Sequence, residues 1–129
     1  MKPVRRERPG MSASHLANVR KLPCCVCGAE NRQINAHHLL QPGDPKERGI
    51  ARKAADKYAI PLCVVILKRW GCHERLHDAG DEETFLMQHG IDGRALASAL
   101  WAARGDQEAM ERVVFRFRQE AALKKGRVT

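Results

Sequence analysis

The chain has 129 residues, 43% of them hydrophobic and 29% charged, the make-up of one soluble domain with a modest core and not of a disordered, collagen-like or membrane-spanning polypeptide. Its 23 Lys and Arg against 15 Asp and Glu leave a formal charge of +8 and a pI near 9.7, a balance that favours a polyanionic partner such as nucleic acid. No segment approaches the roughly 18 consecutive apolar residues of a membrane span, and the basic start has no apolar stretch behind it, so no membrane association is expected and a cytoplasmic location is.

Residues 1–11 gather Lys2, Arg5, Arg6 and Arg8 with two prolines and a glycine, a composition that buries little surface and predicts a flexible basic arm. Residues 12–129 then form a single domain. Ser12 or Ser14 can cap a short helix whose Leu16, Val19 and Leu22 fall at helical spacing before Pro23. The stretch "RQINAHHLL" reads as a strand, and "AIPLCVVIL" as a second one. Between them "QPGDPKERGIARKAADKY" is rich in Pro, Gly and charge, a long loop with Lys46, Arg48, Arg52, Lys53 and Lys57. Such a loop fits either a solvated surface or a phosphate-contacting segment. From Cys72 onward the pattern is helical, with "CHERLHDAG", "DEETFLMQHG" and "DGRALASALWAARG" each closing on a glycine. A last helix from about Asp106 sets Met110, Val113, Val114, Phe117 and Ala121 on one face, for core packing or for a partner helix. The whole predicts a small α+β fold.

In a cytosolic chain the five cysteines stay reduced, which turns their spacing toward metal binding, catalysis or plain packing. In "PCCVCG", Cys24 and Cys27 form a C-x-x-C pair on a tight turn, where two thiolates can meet one tetrahedral ion. Cys63 and Cys72 are the available second pair, with "VVILKRWG" looping out between them; Cys25 is left out. The competing view treats Cys63 and Cys72 as buried hydrophobes and Cys24 and Cys27 as free thiols.

"CHERLH" places His73 and His77 four apart on a helix, so that both imidazoles project from one face and can bind one cation. In a strand His37 and His38 point to opposite faces. One of them can turn to a metal while the other, an imidazole titrating close to neutral pH, is left to remove a proton.

The order "LPCCVCG", "NAHHLL", "IPLC", "CHERLH" and "FLMQHGID" resembles the HNH, or ββα-metal, endonucleases, and among them the zinc-knuckle type found in phages and associated with recombination. The resemblance covers residues 22–92, with 93–126 as a C-terminal helical extension. It implies a small ββα-metal core with a zinc-stapled β-hairpin, hydrolysing DNA phosphodiester bonds to leave a 5′ phosphate. On this sequence it makes His38 the general base and His37, His73 and His77 the ligands of a catalytic divalent ion, Mg²⁺, Mn²⁺ or a transition metal. Cys24, Cys27, Cys63 and Cys72 become the structural Zn²⁺ site. The place of the family's middle asparagine is taken by Tyr58, with Asp56 nearby. Lys68, Arg69 and Trp70, at the tip of the widened loop, form a candidate DNA-contacting finger. DNA is the expected partner, with a homo-dimer or a recombination protein as further ones. The competing functions are a zinc-stabilised DNA-binding module without catalysis and an interaction protein that uses the C-terminal helical face.

Overall fold

The computed structural model describes residues 10–39 and 55–127. Residues 1–9 of the expected basic arm, and Lys46, Arg48, Arg52 and Lys53 of the expected DNA-contacting loop, lie outside the described residues.

Helix α1 (Ala13–Val19) starts where Ser12 accepts the His15 backbone N–H on its hydroxyl at 3.1 Å, satisfying one of the donors that a helix start leaves open. Strands β1 (Ile34–His38) and β2 (Ala59–Cys63) pair antiparallel, with Ile34 opposite Cys63 and His38 opposite Ala59. Just before β2 lies a 3₁₀ turn, Asp56–Tyr58. Helices α2 (Cys72–Ala79), α3 (Glu82–Gln88), α4 (Gly93–Ala102) and α5 (Gln107–Arg127) follow. Asp81, Asp92 and Asp106 cap the last three, each accepting a backbone N–H of the first turn. The described residues thus form an α+β fold of five helices and a two-stranded sheet, and no helix among them is long and apolar enough to cross a membrane.

Both strands are shorter than their apolar runs. The second was expected to reach Leu67, but it stops at Cys63, and the chain turns into a separate tight hairpin in which Ile66 pairs with Arg69. Leu67 and Lys68 make that turn with φ of 47° and 67°. A turn built without Gly or Asn carries no local signal, so a continuing strand and a new hairpin read alike.

All five residues of β2 are buried. Helix α1 packs against both strands, α2 against β2 and α3, and α4 against β2, the 3₁₀ turn and α5. Ile60, Leu62, Leu76, Leu86, Leu96, Leu100, Met110 and Val114 are almost wholly buried, each stabilising the fold by about 1.5–3 kcal/mol. The stripe on α5 faces this core through Met110, Val113, Val114 and Ala121, with Phe117 partly covered. That settles its choice in favour of packing.

Candidate functional site

Cys24, Cys27, Cys63 and Cys72 bring one sulfur each to within 4.8 Å of all the others. Tetrahedral Zn–S bonds of about 2.3 Å place sulfurs roughly 3.8 Å apart, and Cys27 Sγ stands 3.6 Å from Cys63 Sγ. The first pair sits on a turn closed by the Gly28 N–H donating to the Cys24 carbonyl at 2.9 Å, with Gly28 at φ +77°. The second pair is joined by the Cys72 N–H, which donates to Cys63 Sγ at 3.3 Å. Gly71 makes that approach possible, because a Cβ there would lie 2.3 Å from the Cys63 carbonyl oxygen.

Packed this closely, the thiols oppose one another's ionisation. A hydrogen bond from Cys72 brings Cys24 down to about 4, while Cys72 itself, acting as the donor in that bond, is pushed far up. Burial, with Cys24 nearby, raises Cys63. A dication among the four sulfurs removes that opposition, and the donor set and spacing fit a structural zinc. Cys25 is buried and outside the cluster, its N–H donating to the Pro61 carbonyl at 3.0 Å.

A second cluster joins His37 of β1 to His73 and His77 of α2, again with ligand atoms within 4.8 Å of one another. His73 Nε2 and His77 Nε2 are 3.1 Å apart, close to the roughly 3.3 Å between nitrogens on one tetrahedral ion. Three nitrogens leave at least one position open. His37 is buried and its Nε2–H donates to the buried Glu82 Oε1 at 2.6 Å. A carboxylate only accepts, so the lone pair of His37 lies on Nδ1. In the same way His73 Nδ1–H points to Glu74 Oε2 at 3.3 Å, leaving Nε2 as acceptor for the Asn35 amide at 3.2 Å. Imidazoles held by carboxylates behind them are the usual surroundings of metal-binding histidines.

His38 takes the other face of β1, and its Nε2–H donates to Asp56 Oδ1 at 2.8 Å. The Asp56 carboxylate is nearly buried, and its Oδ2 accepts the Ser12 N–H at 2.8 Å. This anchors the imidazole through Nε2, on a side chain 30% exposed. Residues 2–103 match a family described as a protein of unknown function (DUF968). The chain belongs to the DUF968 family. The match covers the four cysteines, the four histidines, Asp56 and Glu82, and stops short of α5. No curated protein and no solved structure matches the chain.

Of the basic residues expected on DNA, Lys57 lies in the 3₁₀ turn with its N–H donating to the Gly10 carbonyl at 2.9 Å and its ammonium 5.1 Å from the centre of the Tyr58 ring. Lys68 and Arg69 are exposed in the hairpin after β2. Glu82 escaped the sequence, where it is one of the acids of "DEETF" at a helix start. Its burial against His37 depends on how α3 packs beside α2, and no local pattern carries that.

Proposed function

We propose that this DUF968 chain is a metal-dependent HNH endonuclease that hydrolyses DNA phosphodiester bonds, in phage or prophage recombination or DNA processing. The observation that carries this is the division of labour at the end of β1. His37 turns to His73 and His77, and its neighbour His38 is held by Asp56 with one nitrogen able to accept a proton.

In the proposed reaction His38 Nδ1 takes a proton from water as the water oxygen attacks phosphorus. The P–O3′ bond breaks, the leaving 3′ oxygen acquires a proton from solvent, and the strand ends in a 3′ hydroxyl and a 5′ phosphate. Asp56 keeps His38 in the tautomer the step requires and stabilises the imidazolium that forms. His37, His73 and His77 would hold a divalent cation, which would supply positive charge for the phosphate and the departing oxygen. Glu82 and Glu74 orient their imidazoles. Asp56 occupies the functional place left by the family's asparagine, so the substitution at Tyr58 is compatible with an oriented base.

The test is cleavage of plasmid and single-stranded DNA in Mg²⁺, Mn²⁺ or a transition metal. Nicks with 5′ phosphate ends are expected, and they should disappear in the His73→Ala/His77→Ala double variant. Undiminished cleavage by that variant would refute the assigned metal site. Salt-sensitive DNA binding without cleavage in any of these ions would make the chain a DNA-binding module instead.

A further inference from the structure

We propose that the hairpin of residues 65–70 is a wedge that inserts Leu67 between base pairs of duplex DNA beside the histidine site. It rests on the proposed DNA partner and not on catalysis. Six consecutive residues are exposed here, among them Val65, Ile66 and Trp70, and Leu67 is 91% exposed at the tip. Large apolar side chains gathered in this way mark a surface that meets a partner.

The tip is held against local preference. Ile66 and Arg69 exchange two backbone hydrogen bonds of 3.0 and 2.9 Å, with Leu67 and Lys68 at positive φ. That is a two-residue turn which asparagine and glycine adopt far more readily. Strain kept at an exposed leucine points to a use for the leucine.

Its base is rigid. Arg32 Nη2 donates to the carbonyls of Val64 at 2.9 Å and Arg69 at 3.0 Å, and Cys63 and Cys72 of the sulfur cluster bracket the hairpin. A preorganised tip loses little freedom on binding.

Charge selects the partner. Lys68 and Arg69 are exposed on the same hairpin, and no acid lies between Cys63 and Glu74. Apolar side chains flanked by cations suit a duplex, the cations on phosphates and the leucine between unstacked bases. The hairpin is also tied to the histidines. The Gly71 N–H at its foot donates to Glu74 Oε1 at 2.9 Å, and Glu74 Oε2 lies 3.3 Å from His73 Nδ1. The partner implied is duplex DNA distorted beside the histidine cluster.

The experiment binds the zinc-loaded full chain to duplexes carrying a single 2-aminopurine, without added divalent cation. Wild type should raise the fluorescence several-fold at one step of the bound duplex, as the probe unstacks. Leu67→Gly, which relieves the positive φ while removing the wedge, should abolish the rise and weaken duplex binding by about 10- to 100-fold. Lys68→Gly should keep the rise and reduce the salt dependence of binding by about one phosphate contact. Duplex binding by wild type with no rise at any step would overturn the wedge, as would a Leu67→Gly protein that keeps both rise and affinity. A hairpin that engages a protein surface while the chain binds no duplex at low salt would overturn it too. Histidine-dependent cleavage without unstacking removes the wedge and leaves the nuclease standing. A leucine-dependent rise without cleavage in any metal does the reverse.

Discussion

The four-cysteine cluster and the three-histidine cluster share helix α2, the first adding the turn before β1 and the end of β2 and the second adding β1, and their surroundings differ. Three of the four cysteines are buried and their four sulfurs lie within 4.8 Å of one another, whereas the histidines run from the buried His37 through the half-buried His73 to the exposed His77. A closed set of four donors leaves a metal nothing to do except hold the chain, while an open set of three leaves room for water and substrate. The cysteines tie the turn before β1 to the end of β2 and the start of α2, and so fix where α2 presents His73 and His77. One site builds the frame on which the other is displayed.

The largest expected effect lies on the cysteine side. Cys24→Ser should forfeit metal-binding free energy on the order of 10 kcal/mol and leave the chain unfolded, seen as lost circular dichroism and one metal fewer per chain. His73→Ala should keep both the fold and the zinc. If both variants unfolded alike, the contrast between the two clusters would break. Asp56→Asn, which keeps the shape but accepts the His38 proton poorly, should slow cleavage on the order of 100-fold with the fold intact. Glu82→Gln should loosen only the histidine site, weakening its metal about 10- to 100-fold in a titration that leaves the zinc untouched.

The smallest effect lies away from both clusters. His15 is 1% exposed, neither ring nitrogen has a hydrogen-bond partner among the described residues, and its ring stands edge-on to Trp101 at 5.0 Å. Burial, with Arg104 adding to it, lowers its pKa. Below about pH 6.5 the unfolded chain takes up a proton here that the folded chain resists, so this residue costs stability as the pH falls. His15→Phe should therefore raise stability by about 1 kcal/mol and flatten the acid side of the stability curve, measured by denaturant unfolding of the zinc-loaded protein.

Helices α2 to α5 were legible because their boundaries are punctuated, with Asp81, Asp92 and Asp106 starting the last three and Gly80, Gly90 and Gly105 following the first three. The spacing of the ligands was legible too, since C-x-x-C and H-x-x-x-H each fit one turn of chain. The partners behind those ligands were not. Glu82 reaches His37 across 45 positions and Asp56 reaches His38 across 18, and such contacts depend on packing and not on any local period. Nor did the sequence reveal the turn at Leu67 and Lys68, because it uses residues that ordinarily avoid positive φ. The two acids sit at helix starts that suit them and owe their roles to packing across the fold, whereas Leu67 is placed where local preference alone would not put it.

The central claim is that the open site cuts DNA with His38 as its base. The most direct test is the nicking rate of supercoiled plasmid by zinc-loaded wild type and His38→Ala, matched for fold and metal content, across Mg²⁺, Mn²⁺ and transition metals. A loss of about 100- to 10,000-fold in the variant is predicted. Equal rates for the two proteins, or no nicking by wild type in any of these ions, would contradict it.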